Sequence, residues 1–181
     1  VQYKDATGTV VAEDTINVPV TVVSSTPSKI VVFEGEKPTA EQAKEAVTPG
    51  TDGTKGEPTT LPETTGKAGA TDVKVDVPVT YDNGKITETV SVPVTVLPKA
   101  SGEVEVPKGE SVDKVKEVAK AKAAALVEAA DFKGKLPTGA TVTVGDITEA
   151  VAATLTNEKG TNKGVVNVPA TYTVDGKEYP T

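Results

Sequence analysis

Between Asp72 and Tyr81 apolar and polar residues alternate: Val73, Val75, Val77, Val79 and Tyr81 share one side, Asp72, Lys74, Asp76 and Thr80 the other. A period of two marks a strand with one buried and one wet face. Asn83-Gly84 follows. Both residues tolerate the positive φ of a type I′ turn, so a hairpin with a two-residue loop is predicted. Ile86, Val90, Val92, Val94 and Val96 continue the apolar face. The register sets Val77 opposite Val90, Val75 opposite Val92 and Val73 opposite Val94. Pro78 and Pro93 conflict with it, because proline has no N–H to give a ladder. Either the hairpin is bulged, or its strands part beyond the prolines and join different sheets.

Helical signals are fewer. Thr39 with Gln42 forms a capping box, and Pro49-Gly50 is the expected stop. Asp146 with Glu149 is a second box. From Ser111 to about Ala130, residues Val112, Val115, Val118, Ala119, Leu126 and Val127 make one apolar stripe, predicting a long helix. Lys114, Lys116, Lys120 and Lys122 line much of the rest, interrupted by Asp113, Glu117 and Glu128. That mixture reads as a solvated face rather than a surface for anionic polymers or a membrane.

The pattern recurs. "NVPVTV" at Asn17–Val22, "DVPVTY" at Asp76–Tyr81, "SVPVTV" at Ser91–Val96 and "NVPATY" at Asn167–Tyr172 are variants of one strand. "GEKPTAEQAKEAV" at Gly35–Val47 matches "GESVDKVKEVA" at Gly109–Ala119 once Lys37-Pro38 is dropped. The chain therefore reads as an out-of-phase window on a tandem array. Residues 1–26 are the terminal hairpin of a preceding unit, 27–99 a complete unit, and 100–181 a second, helix-extended unit without its last strand. A bare strand edge invites aggregation, so Val1–Val23 is expected to pair with another unit or another molecule. Ser25-Thr26-Pro27 and Leu97-Pro98-Lys99 are the linkers, stiffened by proline.

Composition narrows the chemistry. The chain is 36% hydrophobic but only 3% aromatic, so any core is built of Val, Ile, Leu and Ala. Such thin cores suit small sandwich-like modules. A net charge of −7 argues against nucleic acid as a partner. No apolar run approaches the ~20 residues of a membrane span, and the N-terminus lacks a signal-peptide pattern, so a soluble fragment or mature segment is expected. The absence of Cys and Met makes the chain hard to oxidise, which suits an exposed location. With neither His nor Cys, Ser-His-Asp and Cys-His catalysis are excluded, as are thiolate and imidazole zinc sites. Asp72 and Asp76 lie on a wet strand face with Lys74 between them, and Asp52-Gly53 and Asp175-Gly176 are turn pairs rather than calcium loops. Asn17 and Asn167 flank valine strands, where a Lys–Asn isopeptide bond is conceivable but few aromatics exist to enclose it. No catalytic, cofactor-binding or metal-ligating residue is assigned, and the chain is not expected to be an enzyme.

Leu61-Pro62-Glu63-Thr64 matches four positions of the pentapeptide that sortases cleave, but Thr65 stands where glycine is required. Neither an apolar stretch nor a basic tail follows, so this is read as a loop leading into the strand at Asp72.

The unit "KIVVFEGEKPTAEQAKEAV", the Gly-rich lead-in Gly66–Gly69 and the hairpin "VTYDNGK…VSVPVTV" together resemble the Rib/alpha/Esp tandem repeats of Gram-positive surface proteins. The resemblance covers Ser28–Leu97 well and Ser101–Thr181 loosely. The family's Tyr-Pro-Asp-Gly turn stands here as Tyr81-Asp82-Asn83-Gly84, and the helix from Ser111 is additional. It implies a mainly β fold with short helices: immunoglobulin-like sandwich modules in tandem, the second α+β through its long helix. It also implies an extracellular place on the cell surface, with wall anchoring through a region outside these residues, and brings no catalytic residues. Two functions follow from this. The first is a structural spacer that holds a distal binding domain away from the wall, its partners being neighbouring modules. The second is an adhesive module that itself binds a host protein or glycan. Tyr3, Tyr81, Tyr172 and Tyr179 are nearly the only aromatics available for such a patch. Tyr3, Tyr81 and Tyr172 occupy matched hairpin positions, which favours repeated architecture.

Overall fold

The valine hairpin forms in the expected register. The computed structural model describes residues 1–107, 109–148 and 166–181, and within them the chain is mainly β with a few helices. Strand β1 is Gln2–Lys4, β2 Val10–Glu13, β3 Thr26–Pro27 and β4 Ile30–Phe33. Helix α1 (Ala40–Glu45) precedes β5 (Val47–Thr48), β6 (Thr54–Lys55), β7 (Lys74–Tyr81) and β8 (Ile86–Leu97). Helices α2 (Val112–Glu128) and α3 (Ala130–Lys133) are followed by β9 (Thr141–Val144), β10 (Ala170–Val174) and β11 (Lys177–Pro180). The second capping box lies partly outside the described residues, since Glu149 is not among them.

β7 and β8 pair antiparallel, with Val75 opposite Val92 and Val77 opposite Val90. Asn83 at φ 53°, ψ 38° and Gly84 at φ 87° make the turn, closed by the Lys85 N–H donating to the Asp82 carbonyl at 3.2 Å. Asp82 also has positive φ, at 48°, and the ladder ends at Tyr81 opposite Ile86, so the connection has four residues instead of the expected two, with Gly84 where a side chain would be strained.

The prolines require no bulge, and the strands part beyond Pro93, as one of the two expectations had it. Val94 N–H donates to the Val73 carbonyl at 2.8 Å, so the odd positions of β7 are those bonded to β8. Antiparallel ladders alternate bonded and non-bonded pairs. Pro78 opposite Thr89 and Pro93 opposite Lys74 therefore fall in the non-bonded pairs. Pro78 turns its backbone outward instead, and its carbonyl accepts from Gly56 N–H at 2.8 Å. The ladder with β7 ends at Lys74 opposite Pro93, and past it β8 pairs with β4 on its other edge, parallel, with Ile30 beside Val94 and Val32 beside Val96. The sheet order is β4-β8-β7-β6.

This sheet closes the first core. Val75, Val77 and Val79 of β7 meet Val90, Val92, Val94 and Val96 of β8, Ile30 and Val32 of β4, and Ala43, Ala46 and Val47. Each fully buried valine contributes about 1.5–3 kcal/mol relative to exposure. α1 carries its capping box, with Thr39 Oγ1 accepting from Gln42 N–H at 3.1 Å and Gln42 Oε1 accepting from Thr39 N–H at 2.8 Å. The helix stops at Glu45 rather than at Pro49-Gly50. Val47 is drawn into the core, and Val47–Thr48 pairs with Thr26–Pro27 instead.

The second sheet has the order β11-β10-β9. α2 is capped by Ser111, whose hydroxyl accepts from Lys114 N–H at 3.2 Å. The predicted stripe serves two clusters. Val115 and Ala119 pack with Ile147, Val106, Val166 and Val168, whereas Val127 at the far end joins Leu97, Phe132, Tyr172 and Val174.

The three hairpins share one register: Tyr3 faces Ala12, Tyr81 faces Ile86 and Tyr172 faces Tyr179. Within residues 1–23 the strands pair with each other, β1 with β2. Residues 15–22 lie in no strand and are exposed, because among the described residues no open sheet edge meets them.

Thr39→Ala removes one half of the capping box and is expected to lower stability by about 1 kcal/mol. A downward shift of the urea midpoint at constant slope checks it.

Candidate functional site: the junction of the sequence units

The sequence's candidate sites are structural. Thr64, where a sortase would cleave, is fully buried and donates its hydroxyl to the Glu36 carbonyl at 2.7 Å. Leu61 packs against the first core, and Glu63 pairs with Lys37. Asp76 accepts from the Ser91 hydroxyl at 2.6 Å on the outer face of the sheet. Asp52 and Asp175 hold turns at φ 62° and 49°. Asn17 and Asn167 are exposed and lack the enclosed setting an isopeptide bond needs. Three lysines of α2 face acids: Lys114 meets Glu117 at 3.0 Å, Lys116 meets Asp113 at 3.9 Å and Lys120 meets Asp146 at 2.5 Å. Of the four tyrosines, Tyr81 and Tyr172 are buried, which removes them from any adhesive patch. Among the described residues no helix is long and apolar enough to cross a membrane, and no group of His, Cys, Asp or Glu is placed to hold a metal ion.

What the fold does build lies where Leu97-Pro98-Lys99 leaves the first unit. Strand β4 reads Ile-Val-Val-Phe, apolar on both faces. Ile30 and Val32 enter the first core, while Val31 and Phe33 pack against the cluster around Tyr172. Leu97, at the end of β8, belongs wholly to that second cluster. The Tyr172 ring meets Phe33 edge-on, centroids 5.1 Å apart, and its hydroxyl donates to the Pro98 carbonyl at 2.6 Å. Burial pushes the Tyr172 phenol above its ordinary pKa, so it stays a donor. Around this core Lys29 pairs with Asp175, and Lys99 pairs with Glu36 at 3.1 Å. On another side Gly69, at φ 81°, lies so close to Lys135 that a Cβ there would sit 3.0 Å from the lysine Cα.

The same device holds the other linker. Tyr81, which matches Tyr172, has its hydroxyl 2.7 Å from the Ser25 hydroxyl and donates to Glu88 at 2.9 Å. Ser25 N–H donates to the same carboxylate at 3.0 Å. Gly50 and Gly53 make room for this ring: a Cβ at Gly53 would stand 2.7 Å from it. Tyr81 and Tyr172 thus each grip the linker that leads into their own unit, whereas Tyr3, at the matched position, is exposed.

No family model, curated protein or solved structure matches the chain. The junction is therefore read from its geometry.

Sequence reasoning missed most of this site. The matched tyrosines were visible, but their partners are a serine and a backbone carbonyl, which carry no motif. The unbroken apolar run Ile30–Phe33 was a usable signal, because a strand apolar on both faces is buried on both faces.

Tyr172→Phe keeps the ring against Phe33 and leaves the Pro98 carbonyl without its donor. A loss of about 1–3 kcal/mol is expected, read from the denaturation midpoint reported by Tyr179 or a probe on β11.

Glu88 titrates below its ordinary 4.5 because Ser25, through its side chain and backbone, and then Tyr81 hydrogen-bond its charged form. A carboxylate with a lowered folded pKa adds stability above the unfolded value and loses it as pH falls through the folded one. Acidification below about 4.5 is therefore expected to free the Ser25 linker, and Glu88→Gln to remove that part of the pH profile. Amide exchange at Ser25 followed against pH measures both.

Proposed function

We propose that the chain is a structural spacer, two serially copied immunoglobulin-like β-modules joined at a set angle, within a repeat array of the Rib/alpha/Esp type. Its place would be outside the cell, on a wall-anchored surface protein, where length and direction are the useful properties. The observation that carries this reading is the junction. The linker between the two copies is not a free tether: Leu97 is fully buried, Pro98 is bonded by Tyr172, and Phe33 packs against the same ring. A joint filled with apolar side chains resists bending in a way that a proline linker alone does not. The rest of the described surface supports reach rather than chemistry. Lys114, Lys116 and Lys120 of α2 are paired with acids, and Tyr81 and Tyr172 are spent inside latches. A net charge of −7 keeps such rods apart from one another and from acidic surfaces.

The test is the distance distribution between spin labels placed on Thr59 and Glu178, together with solution scattering. The intact chain is expected to give one narrow distance, and Leu97→Asp a broad one with a larger mean. A distribution already broad in the intact chain would sink the spacer reading. So would saturable binding of a host glycan or matrix protein that one surface substitution abolishes.

A further inference from the structure

The first unit is entered at Ser25 and left at Pro98. The strands nearest those two points, β4 and β8, are neighbours that run parallel, with Ile30 beside Val94 and Phe33 beside Leu97. The chain therefore reaches β4 at one end of this ladder and leaves β8 at the other. Traction along the chain slides the two strands past each other and strains every bond between them at once. Pulling both strands from the same end would open the bonds one at a time.

The bonds that meet this shear follow from two contacts. Glu34 N–H donates to the Leu97 carbonyl at 2.9 Å, whereas Val94 N–H donates away from β4, to the Val73 carbonyl at 2.8 Å. Alternation along an extended strand then turns Thr95 and Leu97 toward β4, and Val32 and Glu34 toward β8. The entering chain is tied down before the ladder begins. Ser25 N–H donates to Glu88 at 3.0 Å, Thr26–Pro27 pairs with Val47–Thr48, and Ser28 N–H donates to the Ala46 carbonyl at 2.6 Å. Glu88 lies near the start of β8 and Leu97 at its end, about 30 Å apart along the strand. One strand thus spans the unit from its entry latch to its exit. There Tyr172 holds the Pro98 carbonyl at 2.6 Å, and Lys99 pairs with Glu36 at 3.1 Å.

We propose that the first unit is a tensile clamp, in which β4 and β8 form a ladder loaded in shear and hold the unit folded while the chain is under traction. Resistance to pulling is set by the barrier to unfolding rather than by equilibrium stability. A core of small valines limits the equilibrium term, while the direction in which the ladder is loaded governs the barrier. The two properties are therefore separable, and a thin core is compatible with a strong clamp. The inference deepens the spacer reading and rests on it, because a stalk is stretched whenever the domain at its tip is held.

The test compares two pulling directions on the folded full-length chain by single-molecule force spectroscopy. The sequence holds no cysteine, so an engineered pair gives the only attachment points. Ser24→Cys with Ala100→Cys loads the ladder in shear. Lys37→Cys with Ala100→Cys peels it from the Leu97 end. All three positions are exposed, and the Ala100 handle and the Tyr172 latch are common to both pairs. At one loading rate the shear pair is expected to need severalfold more force than the peel pair. Thr95→Pro takes away an N–H on the β4 side and is expected to bring the shear force down to the peel value; if that variant does not fold, the two directions decide alone. Equal forces in the two directions, a stronger peel, or a folded Thr95→Pro chain that keeps the full shear force would each overturn the proposal. None of these results alters the distance distribution between Thr59 and Glu178, so the clamp can fail while the spacer stands.

Discussion

The first core depends on a single strand that changes partner along its length. β8 pairs with β7 as far as Pro93 and with β4 from Val94 to Leu97, and its valines close the interior beneath. The requirement follows from the side chains available. With 3% aromatic residues no single group fills much space, and burial has to be collected from many small valines held in register. A sheet gives that register only where neighbours pair.

The same strand makes the joint. Along β8 the buried positions alternate as far as Val96, and then Leu97 is buried as well, on the opposite face. That break in alternation hands the chain from one apolar cluster to the next. Phe33 breaks out of β4 in the same direction, and Tyr172 rises from the second sheet to meet both. A proline linker limits the conformations a joint can sample; packing and a hydrogen bond on the linker carbonyl select one of them. Ser25, Tyr81 and Glu88 repeat the arrangement one unit earlier with a different acceptor. The element shared by Tyr81 and Tyr172 is a register position of the hairpin, and each hydroxyl takes what the incoming linker offers.

Much of the fold was legible along the chain. The β7–β8 register, the Asn83-Gly84 turn, the Thr39 cap and the helix from Ser111 all follow from local rules about period, φ and capping. The errors share a cause. Pro78 and Pro93 looked disruptive because a sequence does not say which of two alternating pair types a residue occupies. Pro49-Gly50 looked like the end of α1, but Val47 left the helix earlier for the core. In each case the deciding partner lies far away in sequence or across a strand.

The sequence by itself determined that valine strands of period two would form, where they would turn, that they recur, and that His- and Cys-based chemistry was impossible. These are properties of neighbouring residues and of composition, and need no partner. The tertiary structure alone decided that β4 would be buried on both faces, that Tyr81 and Tyr172 would be latches rather than a binding surface, and that residues 15–22 would stand without a sheet. Burial and pairing are relations between distant segments, and identical local patterns such as "VPVTV" meet opposite fates according to whether a neighbouring strand is present to bond them.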